Sequence, residues 1–392
     1  MSVTNKQDNS TRLILPKDIQ DNVPYSDKVS SRIFCRLLDD DRVVASYKMY
    51  WLLGILDEVS IGHEEIDFER IVARMIVNAW YPILQFKLSF GRFDNLGKPV
   101  NYVFKKEKFS TNYDDGKLLD YIIKSKDTEL KLMMKELTYN VPYRLLTPFF
   151  AEELYGVKDS SKNKMITYLS QDNNNCLYKI IKGEKDKIVL NEGWGQYLKD
   201  NYKLIKSWIY FKLVCFIQKR NPNVPAIAFK LEAPRTRKLN NATKLWNQII
   251  TNVEIKDIYT GEDFDSVNYK KYGSLSIDHF IPWSFVLHDE MWNLVPTFKN
   301  INSKKSDNLL QFESYFNDFC SIQYKAFSYL CDNKIETALE QYIDVMRLDN
   351  PYDYSRHSSH ENFNSKMRQC IYPLYQIATN QGFQVISKLI LN

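Results

Sequence analysis

Three short clusters carry the residues whose types and spacing could do chemistry. They are Ser276-Ile-Asp-His-Phe-Ile-Pro-Trp-Ser, His288-Asp-Glu-Met-Trp-Asn-Leu-Val-Pro and Asn300-Ile-Asn-Ser-Lys-Lys-Ser-Asp-Asn-Leu. Cleaving a phosphodiester takes a base that titrates near neutrality to activate water, and histidine fits. It also takes a hard divalent cation to neutralise the phosphate and stabilise the departing oxygen. Mg²⁺ prefers oxygen ligands and keeps several waters, so one carboxylate and one amide carbonyl can suffice. Asp278 and Asn302 offer such a pair, and His279 offers the base. Neighbours on a strand point to opposite faces, so Asp278 and His279 need a bend to serve one site. Pro282 and the loop after it supply one.

The elements that must position these groups follow from the local pattern. Leu275 and Ile277 alternate with polar neighbours and predict a strand that delivers Asp278 and His279 at its end, stopped by Pro282. Asn293-Leu-Val-Pro reads as a second short strand, and the polar, lysine-rich stretch Phe298 to Asp307 as a helix. Strand, loop, strand, helix is the order expected of a compact metal-holding hairpin. His288 reads as a solvated loop histidine. Asp289 and Glu290 read as solvated carboxylates, or as a carboxylate one shell out from the metal.

The same residues resemble the HNH nuclease superfamily, most closely the HNH domains of RNA-guided CRISPR nucleases and related restriction and defence nucleases. The shared pattern is Asp278-His-Phe-Ile-Pro-Trp-Ser284, the central Asn293, and Asn302-Ser-Lys-Lys-Ser-Asp-Asn308, preceded by the turn Tyr259-Thr-Gly-Glu262. The resemblance implies that His279 is the general base and that Asp278 and Asn302 bind the metal. It implies that Asn293 orients the histidine and braces the hairpin, and that Lys305, with Lys304, contacts substrate phosphate. The third named position is Asn302 rather than a histidine, which favours Mg²⁺ or Mn²⁺. Where many relatives carry a cysteine before the tyrosine, this chain has Ile258, so no structural zinc is expected and Trp283, Trp292 and Leu294 must hold the hairpin by packing. The implied activity is a metal-dependent DNA endonuclease in restriction or anti-phage defence. A nicking or RNA-directed nuclease, or a non-catalytic DNA-binding or interaction protein that keeps the module as a scaffold, are the alternatives. DNA is the implied partner. A homodimer fits too, since one such site cuts one strand. With no RuvC-like second nuclease and no arginine-rich bridge in view, a stand-alone enzyme is the better picture.

Around this segment the 392-residue chain is 44% apolar, with 26 Tyr, 22 Phe and 7 Trp, enough for sizeable cores. Only 12 glycines argue against a glycine-rich nucleotide-binding architecture, and a net charge of +5 is compatible with a polyanionic partner without specifying one. The six cysteines form no CxxC, and with a polar start they read as reduced thiols of a cytoplasmic protein. The most apolar stretch, Tyr50 to Leu56, is too short for a bilayer, so no membrane partner is expected. The expected fold is α+β, a mainly helical multi-domain protein with an embedded ββα-metal module. The divisions expected are an arm over 1–25, a helical domain over 26–160, short strands with a long helix over 161–230, the nuclease module over 231–315 and a helical region over 316–392. Helical patterns cover Val43–Val59, Ile66–Phe90 (with Pro82 as a kink or break), Lys117–Phe150, Trp194–Arg220, Tyr315–Leu348 and Asn362–Ile390. Met165–Leu190 reads as two or three strands, the first over Ile166-Thr-Tyr-Leu. The stretch from Lys219 to Lys244, with Arg235, Arg237 and Lys238, is basic enough to track a nucleic-acid backbone.

Overall fold

The computed structural model describes residues 23–39, 43–232 and 239–389. The expected arm lies outside them except for residues 23–25, as do Arg235, Arg237 and Lys238 of the basic stretch. The chain forms two compact units. One comprises Met1–Ile83 and Ser89–Arg220, the other Leu84–Leu88 and Asn221–Asn392. Helices dominate, with small sheets, so the architecture is mainly helical α+β. No helix among the described residues is long and apolar enough to cross a membrane.

In the first unit β1 (Glu65–Asp67), β3 (Lys187–Leu190) and β2 (Tyr178–Ile181) form, in that spatial order, a three-stranded antiparallel sheet. Three sequence expectations change here. The run Ile166-Thr-Tyr-Leu is not a strand but part of the helix Asp159–Asp172. Ile166 and Ser170, one turn apart, form its buried face, and the Ser170 hydroxyl accepts from Ile180 N–H on β2 at 3.2 Å. The expected helix from Ile66 starts only at Phe68, because Glu65–Asp67 pair with β3, and it runs through Pro82 to Leu84. The expected single helix Trp194–Arg220 is two, Trp194–Asp200 and Tyr202–Arg220, parted at Asn201, whose side-chain amide donates to Tyr197 C=O at 2.9 Å.

The second unit is built on a hairpin and a helix. Strands β4 (Leu275–His279) and β5 (Leu294–Phe298) pair antiparallel, with Asp278 opposite Val295 and His279 opposite Leu294. The helix Lys299–Lys305 follows directly from β5. The hairpin core is aromatic. Phe298 at the end of β5 is ringed by Phe264, Tyr269 and Tyr272, with centroids 5.1–5.9 Å away. Phe280 stacks at 4.1 Å on Phe319 of the helix Phe312–Asp332. Each such ring contributes about 1.5–3 kcal/mol by leaving water. The helix Phe312–Asp332 also supplies Gln323, whose amide donates to Leu294 C=O at 2.6 Å and accepts from Tyr342 of the helix Glu336–Met346 at 2.5 Å. This satisfies an edge carbonyl of β5 inside the core. Trp292 and Leu294 are buried as expected, but Trp283 is only half-buried, so Phe280 and Phe298 carry more of the packing. Ile258, at the place of the absent cysteine, is buried in the same core. A short parallel pair, β6 (Leu309–Leu310) with β7 (Val385–Ile386), joins the end of the module to the C-terminal segment beyond the helix His360–Asn380.

Candidate metal and general-base site

The site grows out of the end of β4. Asp278 is 4% exposed and His279 5% exposed. Two groups meet the Asp278 carboxylate. The Tyr259 hydroxyl donates to Oδ2, and the Lys305 ammonium lies 3.0 Å from Oδ2 and 3.3 Å from Oδ1. Tyr259 is delivered by a tight turn. Asp257 Oδ2 accepts from the Thr260 amide at 2.9 Å and the Thr260 hydroxyl at 2.7 Å, and the turn closes through Gly261 N–H to Asp257 C=O at 2.8 Å. Gly261 has φ +75°, a conformation that favours glycine. Burial and the Asp278 charge hold the Tyr259 phenol well above its ordinary pKa, so it stays protonated and donates to Asp278.

Lys305 departs from the sequence expectation. It was expected on substrate phosphate, yet it is 1% exposed. Its ammonium bridges Asp278 and the His279 carbonyl, which accepts at 2.7 Å. The reason is helical geometry: neighbours on a helix point about 100° apart, and the helix packs on β4 with the Lys305 side inward. Lys304 takes the outward direction and is exposed. The turn after Lys305 is strained, since Ser306 has φ +50° and ψ −140° without being glycine.

His279 points its Nε2 at Asp289 Oδ1, 2.8 Å away. Asp289 therefore is not merely solvated. Neither is His288, which is half-buried with its ring 4.8 Å from that of Trp292. Burial, aided by the nearby His279, lowers the His288 pKa to about 4. Glu290 is shifted upward by burial and by the charges of Asp344 and Asp289.

The two asparagines have different work. Asn293 is fully buried and both ends of its amide bind the backbone of Ile281, accepting from its N–H at 2.8 Å and donating to its C=O at 2.9 Å. This braces the bend after β4. The expected orienting contact to His279 is not made by this side chain, because the residue lies across the bend and its amide is engaged there. Asn302 donates through Nδ2 to the Ser276 hydroxyl at 2.8 Å and to Ile277 C=O at 3.0 Å. A carbonyl can only accept, so these contacts set the amide orientation. They leave Oδ1 as the group able to meet a cation.

The donor set fits a hard divalent ion. A carboxylate presents about four lone-pair positions, more than Tyr259 and Lys305 occupy, and the Asn302 oxygen is an uncharged oxygen donor on the adjoining helix. Among the described residues no group of three or more His, Cys, Asp or Glu side chains could hold a metal. An ion here would rest on Asp278, Asn302 and water, the pattern Mg²⁺ tolerates. The sequence pattern named Asp278, His279, Asn293 and Asn302, and the structure sets the first two at the end of β4, Asn293 across the bend after it and Asn302 on the helix against it. It missed Asp289 as a partner of His279 and the burial of Lys305, for which the only sequence signal was a carboxylate ten residues after the histidine.

Residues 257–309 match the family described as HNH endonuclease, and this segment is an HNH module. The matched span is the turn, hairpin and helix just described. HNH nucleases generally use a divalent metal, and the module implies a nucleic-acid substrate. No curated protein and no solved structure matches the chain.

Proposed function

We propose that the protein is a DNA endonuclease that hydrolyses phosphodiester bonds with Mg²⁺ or Mn²⁺. The observation that supports the reading is a buried carboxylate, Asp278, at the end of β4, with the Asn302 amide bound to the same strand through Nδ2 so that its oxygen is left as acceptor, and with His279 next in the chain held through Nε2 by Asp289. Asp278 and Asn302 hold the ion, which when bound neutralises charge on the scissile phosphate and the leaving oxygen. His279 takes the proton from the attacking water. Asn293 keeps the bend that presents His279. Exposed Lys304 suits a phosphate contact, which positions the strand without reading its sequence. Restriction or anti-phage defence is the biological setting we propose, and a dimer would give two cuts. Both rest on analogy with HNH modules carried on large flanks.

The test is incubation of the purified protein with supercoiled plasmid, linear duplex and RNA in Mg²⁺, Mn²⁺ or EDTA, beside His279→Ala. Metal-dependent cutting of DNA is expected. Loss of the base should slow it by about 10²–10⁴-fold while circular dichroism shows a folded protein. Undiminished cutting by His279→Ala would remove the central claim. Nicks alone would indicate a single-strand enzyme, cutting confined to RNA would reassign the substrate, and no cleavage at all would leave the module a scaffold.

A further inference from the structure

We infer that Asp289 is the positioning residue of the general base: its carboxylate holds the His279 proton on Nε2 and so leaves the basic lone pair of the ring on Nδ1. The inference rests on the nuclease reading of the site for its consequence, but the pairing itself stands on geometry. Asp289 Oδ1 lies 2.8 Å from His279 Nε2. An ionised carboxylate only accepts, so the ring nitrogen facing it must carry the hydrogen. In the neutral ring the lone pair is then on Nδ1. His279 is 5% exposed, so the Asp289 contact lies largely out of bulk water.

The segment that carries Asp289 is held on both sides. Before it, Leu287 adopts φ +59°, an unusual conformation for a leucine, with its N–H bonded to Trp283 C=O at 2.7 Å. After it, the Met291 N–H donates to the Gln341 side chain at 2.7 Å, and the Asn293 N–H to Glu290 C=O at 3.0 Å. His288 lies against Trp292. A loop that merely connected two strands would not need a strained leucine and an anchor from the helix Glu336–Met346. These constraints bring the Asp289 carboxylate to the ring of His279. During the reaction the proton on Nε2 stays there, Nδ1 takes one proton of the attacking water as its oxygen bonds to phosphorus, and the bond from phosphorus to the leaving oxygen breaks, that oxygen departing with a proton from solvent.

The test combines a tautomer measurement with kinetics. Long-range ¹H–¹⁵N correlation spectra of histidine-labelled, metal-free protein report which ring nitrogen is protonated, with the His279 signal identified by its absence in His279→Ala. The wild type should show the Nε2–H form. Asp289→Asn and Asp289→Ala should show mixed tautomers and cleave about 10–100-fold more slowly in single turnover, with Mn²⁺ affinity by calorimetry unchanged. Asp289→Glu should recover part of the rate. An unchanged tautomer and rate in both variants would overturn the inference, and so would lost Mn²⁺ binding, which would make Asp289 a metal ligand instead. If the wild type cleaves no nucleic acid, the nuclease reading fails, while the spectra still decide the pairing.

Discussion

Replacing Lys305 with methionine removes a buried positive charge while keeping an apolar side chain of similar length. In the wild type the ammonium lies 3.0 and 3.3 Å from the two oxygens of Asp278 and donates to the His279 carbonyl at 2.7 Å. Without it Asp278, 4% exposed, keeps only the Tyr259 hydroxyl. Breaking a buried ion pair from one side costs about 3–5 kcal/mol, because the remaining charge has left water without its partner. In a unit of this size each kcal/mol lowers the melting temperature by about 2–4 °C, so a fall of roughly 6–20 °C is expected. Calorimetry and urea denaturation of the metal-free protein measure it. Mn²⁺ supplies positive charge at the same carboxylate and should stabilise Lys305→Met more than the wild type. The double variant Asp278→Asn/Lys305→Met, in which neither charge is left alone, should recover part of the loss. A single variant within about 1 kcal/mol of wild type, the range of an exposed ion pair, would refute the reasoning, since it would mean that Asp278 is solvated.

Two further outcomes follow from the same structure. Asn293→Ala leaves the Ile281 N–H and C=O without their side-chain partner, so urea denaturation should show a loss of about 1–3 kcal/mol for each group. Desolvation lowers the pKa of the fully buried Lys230 from 10.5 to about 7, with its ammonium donating to Phe285 C=O. Because the folded value lies below the unfolded one, the unfolded chain holds the extra proton between about pH 7 and 10.5. Stability from this group therefore rises with pH through that window, and its penalty is complete below pH 7. The difference in unfolding free energy between wild type and Lys230→Met should climb with pH over that range, and parallel curves would show that Lys230 is not desolvated.

Much of the site was legible because its parts are local. Asp278 and His279 are consecutive, the strand before them alternates, and Pro282 limits its length, so the hairpin and its helix could be placed within a few residues. Apolar periodicity likewise located most helices. It misplaced Ile166-Thr-Tyr-Leu, where a β-branched run resembles a strand but the flanking Asp159–Lys164 and Ser170 extend it into a helix. It also joined the helices on either side of Asn201, since a one-residue break leaves the apolar pattern nearly continuous.

The sequence by itself determined which residue types lie at the end of β4 and in the following helix: a carboxylate and a histidine side by side, and an asparagine followed by two lysines. Tertiary structure decided what each of them faces. Lys304 and Lys305 are identical in type and adjacent in the chain, yet one is exposed and the other is sealed against Asp278. Only the rotation of their helix on β4 separates them. Asp289 could equally have been a solvated loop carboxylate, and it meets His279 because Leu287 and Gln341 fix the loop. In the other unit Glu58 sits fully buried between Arg70 and Arg74, each 2.5 Å away, which no local pattern foretells. A charged residue's type states what it can bind. Whether it is desolvated, and by which partner, depends on chain segments that meet only on folding, and that sets its role.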